Sequence, residues 1–192
     1  MEELLQFLCS THRLSPECIA QLHKIVKFQK VPKGHAILKI GEVNRHLYFI
    51  RKGLLHCHYL VNDSSVSAWF FMENATVVSI GSFYNQSKSE DCIEPVEDTE
   101  LFYITREEFD HLCRTYHDFC YLANLLFIKY LKEFQEHSRL IRKLKSKDRY
   151  DTAVLKYPDL FQRVPAKLLA SWLSMEKETL SRGRSRNRGR KK

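Results

Sequence analysis

Residues 26–104 read as a succession of short β segments, and this texture constrains the fold more than any other feature of the chain. Apolar and β-branched residues gather at 25–31, 36–40, 47–51, 54–61, 66–71 and 100–104. Between them stand Pro32-Lys33-Gly34, Gly41-Glu42, Lys52-Gly53 and Asn62-Asp63-Ser64, each rich in residues that set or free a turn dihedral. Several short strands at this spacing, with no helices between most of them, predict a β-sandwich or jelly roll.

Helical signals flank this region. Leu4, Leu5 and Leu8 recur at helical spacing, and Ser15-Pro16-Glu17 is a cap with proline in the first turn, leading into Ile19, Leu22 and Ile25. Thr105 and Glu108 match a capping box that opens a helix carrying Phe109 and Leu112. A long helix free of proline and glycine then spans 118–144. Its apolar positions, among them Leu122, Leu126, Phe127, Tyr130, Leu131 and Phe134, cover more than the roughly 100° stripe that packing on one sheet requires. That width predicts one side on its own domain and another on a second copy of the helix, with Leu122, Leu126, Tyr130 and Phe134 at a homodimer interface. The alternative is a helix wedged between two domains of one monomer.

Residues 164–184 read as a helix-turn-helix. Val164-Pro165 starts a helix in which Leu168, Leu169, Trp172 and Leu173 form a buried stripe. Ser174-Met175-Glu176 breaks it, and a second helix from Lys177 to about Ser185 turns Leu180 inward and Lys177, Glu178, Ser181 and Arg182 outward. Such a face suits the major groove, where arginine reads guanine and glutamate accepts from cytosine; an ordinary helical hairpin with a solvated face is the other reading. Charge favours the groove. Arg182, Arg184, Arg186, Arg188, Arg190, Lys191 and Lys192 supply seven of the net +8, and no acid interrupts them. A basic block beside a helix-turn-helix points to polyphosphate through counterion release, rather than to a solubilising tail or a membrane anchor.

The length, 192 residues, accommodates a domain of about 120 residues and a smaller second one. No apolar run approaches the ~20 residues of a spanning helix, and the N-terminus lacks the layout of a signal peptide. The six cysteines are scattered without a C-x-x-C pair, as expected of reduced thiols in a cytoplasm. His56 and His58 share one face of a strand and need a third ligand to hold a metal; they read first as surface or pocket-lining histidines, and no metal is assigned. No nucleophile triad, P-loop or paired-carboxylate site stands out, so no enzyme is expected.

The order of β-roll, long helix and helix-turn-helix resembles the cyclic-AMP receptor protein (Crp/Fnr) family of bacterial transcription regulators. Pro32-Lys33-Gly34 with Gly41 to Gly53 (GEVNRHLYFIRKG) is similar to the family's glycine-punctuated strands, and Arg163-Val164-Pro165 through Glu178-Thr179-Leu180-Ser181-Arg182 to its helix-turn-helix. The resemblance implies an α+β chain with an N-terminal β-roll (a double-stranded β-helix, or jelly roll) as sensor at 1–117, a dimerisation helix at 118–144 and a DNA-binding domain with a basic tail at 147–192. It puts base reading on Lys177, Glu178 and Arg182, phosphate contact on Thr179, and further contact on Arg184 and Arg186. Double-stranded promoter DNA, a second copy and RNA polymerase are the implied partners. Some relatives carry N-terminal iron–sulfur cysteines, but Cys9, His12 and Cys18 lack the close spacing such a cluster needs.

Three features depart from the pattern. Val78-Ser79-Ile80, followed by Gly81, occupies the place of the family's Gly-Glu-Leu turn, and Ser89 stands where an arginine pairs with the cyclic phosphate, with Glu90 and Asp91 next to it. A desolvated phosphate needs a paired cation, so unless Lys88 or Arg51 reaches in, cyclic AMP is not expected to bind tightly. The turn at 79–84 is expected to form a lid over a pocket, and no cofactor is specified; a small-molecule effector of another kind stays open. Ser174 stands where the turn usually has glycine, and Gly183 interrupts the second helix at about 1 kcal/mol relative to alanine. The residues after Ser185 are too few for the family's two-stranded wing. The leading expectation is therefore a DNA-binding regulator with a degenerate sensor domain. A sensor acting through protein contacts, with a helical end that no longer reads DNA, is the second reading, and RNA binding through the tail is a third.

Overall fold

The computed structural model describes residues 1–143 and 145–189. Two helices precede the roll, α1 (Glu2–Thr11) and α2 (Pro16–Ile25). Ser15 caps α2 by accepting from the Cys18 N–H, and its own N–H donates to the Asp118 carboxylate a hundred residues away. The roll consists of β1 (Lys27–Val31), β2 (His46–Lys52), β3 (Leu55–Val61), β4 (Ser64–Phe71), β5 (Thr76–Val77), a short helix α3 (Ile80–Asn85), β6 (Asp91–Pro95) and β7 (Thr99–Thr105). Its strands pair antiparallel in two sheets, ordered β1-β7-β2-β5 and β4-β3-β6. Ile50, Leu55, Val77, Ile93 and Leu101 fill the space between them.

The turn residues act as the sequence predicts. Asn62 and Asp63 both take positive φ and close the β3–β4 hairpin, which is the backbone a two-residue turn needs to match strand twist. Gly53 has φ +110° and runs so close to Thr99 that a Cβ there would lie 2.4 Å from the Thr99 Oγ1. Residues 36–40, expected as a strand, form only an isolated bridge from Leu38 to Ile93. Their partner, β6, is absent from the sequence expectation because Asp91, Glu94 and Pro95 are poor strand formers. It is an edge strand, where a missing N–H is tolerated.

The Thr105–Glu108 capping box forms with both of its bonds and opens α4 (Arg106–Thr115). α5 (His117–Lys143) follows, then α6 (Ser146–Lys156), α7 (Pro158–Arg163), α8 (Ala166–Trp172) and α9 (Lys177–Gly189). One apolar cluster packs α1, α2, α4 and α5 onto the roll through Leu8, Leu22, Phe49, Phe102, Leu112 and Leu122. A second joins Leu54, Phe70 and Val96 of the roll to Tyr150, Leu169, Trp172 and Leu180 of the helical end. The helical end thus docks on the roll. Ser67 N–H donates to Ser171 Oγ at 2.9 Å, and Trp172 packs against Trp69, Phe70 and His137. Arg163 grips Glu73 with two bonds of 2.8 Å and also pairs with Glu97.

Candidate ligand cavity and nucleic-acid interface

A cavity of about 600 Å³ opens between the roll and the helices that cover it, within the range of small-molecule sites. Its walls are apolar, from Phe49, Trp69 and Phe71 on the strands to Leu122, Leu126 and Phe127 on α5, and Asp91 is the carboxylate among them. No lysine, arginine or histidine lines it among the described residues. Val78, Ile80 and Gly81 of the expected pocket do line it.

Ser79 and Ser89 are buried beside it in a closed hydrogen-bond network. Ser79 Oγ donates to Asp91 Oδ2 at 2.6 Å, and Ser89 Oγ accepts from the Asp91 N–H at 3.0 Å while lying 3.1 Å from Ser79 Oγ. Buried Asn44 accepts from the Ser79 N–H, and its own N–H donates to Ser82 Oγ, both at 2.8 Å. The lid helix α3 is thus pinned by neutral groups and one carboxylate.

Glu90 departs from the expectation: it is exposed, whereas Asp91, one position on, turns inward because successive strand residues face opposite sides. Neither candidate cation reaches in. Arg51 bonds Glu3 and Glu100 on the outer surface, and Lys88 is exposed. Asn44 is the network residue that sequence reasoning did not single out; Asp91 is named there only as an acidic neighbour of Ser89. Asn44 follows the Gly41-Glu42 turn, but only the fold brings it to Ser79.

At the other end, α8 and α9 are joined by a short turn at the position where the sequence places one. Ser174 takes φ +48° in that turn, and Arg149 from α6 donates to the carbonyls of Leu173 and Ser174 at 2.7 and 2.8 Å. Lys177, Glu178, Arg182 and Arg186 are exposed, and Glu178, Arg182 and Arg186 recur every four residues along one side of α9. Thr179 is half-buried and accepts from Arg182 Nη2 at 3.2 Å. Arg184 faces the other way: its guanidinium donates to the carbonyls of Phe161 and Val164 at the end of α7. It is committed to a helix C-terminus, where cations are favoured. α9 is continuous through Gly183 to Gly189. Arg190, Lys191 and Lys192 of the basic run lie outside the described residues.

α5 carries two apolar sides, as its composition predicts, but not with the residues assigned to them. Leu122 and Leu126, expected between two copies, are buried in the chain's own core. Tyr130 is turned home as well, its hydroxyl accepting from the Thr76 N–H at 2.8 Å. Of the four, Phe134 alone is exposed, beside Trp69 and bordering the cavity with Phe127 and Leu131, while Tyr121 and Ile128 are exposed further round the helix. The phase of the helix is set by which stripe meets the roll, which periodicity by itself does not decide.

Residues 28–116 match the cyclic nucleotide-binding domain family. No curated protein matches the sequence. Among solved structures, FixK2 from Bradyrhizobium japonicum aligns with a TM-score of 0.74 at 15% identity, over 86% of this chain and 86% of that one. A Crp/Fnr-family transcriptional regulator from Eubacterium rectale aligns with a TM-score of 0.69 at 16% identity, over 88% of this chain and 82% of the other. The c-di-GMP-responsive global regulator CLP of Xanthomonas campestris gives 0.69 at 16% identity, over 91% and 92%. The chain shares the fold of these regulators across both its roll and its helical end. Among the described residues, no helix is long and apolar enough to cross a membrane.

Proposed function

We propose that this chain, built on the Crp/Fnr fold, is a homodimeric DNA-binding transcription regulator whose roll does not take cyclic AMP. The observation that carries the DNA reading is the exposed row Glu178, Arg182 and Arg186 on α9, with Lys177 beside it, on a helix that continues into a basic run. Arginine and glutamate on one helix face can read base edges, and the lysine and the basic run can hold phosphates. Dimerisation through the exposed side of α5 would set two copies of α9 against a palindromic site, with RNA polymerase as the protein such a regulator meets there.

Cyclic AMP is disfavoured by the charge of the cavity. A cyclic phosphate would meet the Asp91 carboxylate beside two serine hydroxyls, and among the described residues no guanidinium or ammonium lines the cavity to pair with it. Calorimetry is expected to give a dissociation constant weaker than about 100 μM, a free energy of roughly −5.5 kcal/mol. Micromolar binding would overturn this part of the reading.

The DNA reading is tested by fluorescence anisotropy on a palindromic promoter fragment against a scrambled one. Arg182→Ala is expected to cost ~1–3 kcal/mol on the specific site and little on random DNA. Truncation after Ser185 is expected to weaken both and flatten the salt dependence. If neither change affects binding, the helical end acts through protein contacts instead.

A further inference from the structure

We propose that His56, His58 and Glu94 form a transition-metal site, suited to Zn²⁺, that braces the sheet face on which α8 docks. His56 and His58 are two apart on β3 and so share its outer side, their rings stacked with centroids 4.9 Å apart. Glu94 lies directly across from His56 on β6. Its Oε1 is 3.8 Å from His56 Nδ1 and 3.9 Å from His58 Nδ1, and the three ligand atoms fall within 4.8 Å of one another.

The nitrogens themselves indicate a ligand. Both Nδ1 atoms are buried and make no hydrogen bond, and the His56 side chain is only 1% exposed. Two unpaired buried nitrogens converging on one carboxylate call for a shared partner. On the far side of the ring, His56 Nε2 lies 2.9 Å from Ser67 Oγ. A proton on Nε2, donated to that hydroxyl, leaves the Nδ1 lone pair free, which is how outer-shell bonds fix the tautomer of a metal-bound histidine.

Two imidazoles and a carboxylate with a fourth position left to water are a zinc-type donor set. Tetrahedral ligands about 2.0–2.1 Å from the ion stand roughly 3.3 Å apart, so the site must contract by about half an ångström at each Glu94 contact and by up to about 1.5 Å between the two histidine nitrogens, which calls for a turn of the less buried His58 ring. Glu94 is 36% exposed on an edge strand and can supply the movement at its own two contacts. The same residues touch the helical end. His56 stacks on Phe70 at 4.9 Å, Phe70 packs against Trp172, and Ser67 N–H donates to Ser171 Oγ. An ion that locks His56 therefore locks Ser67 and Phe70, to which α8 is docked.

The test uses tag-free full-length protein titrated with Zn²⁺ by calorimetry, and with Co²⁺ as a spectroscopic stand-in. The expected result is one ion per chain and the intense visible bands of four-coordinate Co²⁺, displaced by Zn²⁺. His58→Ala and Glu94→Gln, both at partly exposed positions that spare the core, should each weaken binding by at least about ten-fold. Ser67→Ala should weaken it by ~10–100-fold through loss of the orienting bond. Zn²⁺ should also slow amide exchange across α8 in the wild type and not in Glu94→Gln. A six-coordinate Co²⁺ spectrum, or affinity unchanged in both ligand variants, overturns the site. A four-coordinate spectrum with α8 exchange unaltered overturns the bracing of the helical end.

Discussion

Gly183 sits in the middle of α9, where glycine is a poor helix former, yet the reason for it lies on another helix. A Cβ at this position would come within 2.8–2.9 Å of three Tyr150 ring atoms, so α6 and α9 approach each other through the missing side chain. In an exposed helix, replacing glycine by alanine stabilises by about 1 kcal/mol. Here the sign should reverse, with Gly183→Ala destabilising by ~1–3 kcal/mol through overpacking. Urea melts of Gly183→Ala, alone and in a Tyr150→Leu background, check this, because the penalty should shrink once the ring is gone. A stabilised single variant would mean that α6 and α9 do not pack as described.

α5 shows how one element serves two surfaces. Leu122 and Leu126 are 1% and 7% exposed, whereas Phe127, Leu131 and Phe134, which also border the cavity, are 45%, 47% and 58% exposed. An outward apolar stripe of this size is what a helix-paired dimer buries. Phe127→Glu combined with Leu131→Glu is expected to give folded monomer by light scattering, since both side chains leave the core intact. Leu126→Asp should instead unfold the chain, because a carboxylate buried without a partner costs several kcal/mol. Stable wild-type monomer at tens of micromolar would sink the dimer.

For the molecule as a whole, the defining contact is the one between roll and helical end. It combines the Arg163 clamp with an aromatic stack in which His137 lies 4.6 Å from Trp172 at 13° between planes. Burial lowers the His137 pKa to about 4; a bond with the Trp172 backbone opposes the shift, and Lys156 adds to it. The docked state therefore holds His137 neutral, and the undocked or unfolded chain binds the proton more readily. The stabilisation is complete above pH 6.5, declines as pH falls below that, and is gone near pH 4, on the order of 3 kcal/mol across the window. His137→Phe should flatten this part of the pH profile in thermal melts. A profile identical to wild type would assign the pH dependence to other groups. The Arg163 clamp responds lower still: burial raises the Glu73 pKa, but the bonds from Arg163 and the Gly53 N–H outweigh it and hold it at about 2.

The sequence by itself determined the local events: the Ser15 and Thr105 caps, the Asn62-Asp63 turn, the long helix and the two helices around Ser174. Each follows from chemistry within a few residues, where dihedral preference, capping and periodicity act without help from the rest of the chain. The tertiary structure alone decided the edge strand β6, the phase of α5, the inward turn of Arg184, the purpose of Gly183, and the meeting of Glu94 with His56 and His58. Those depend on which surfaces face one another across dozens of residues, and a one-dimensional pattern carries no register between strands and no choice between two apolar stripes.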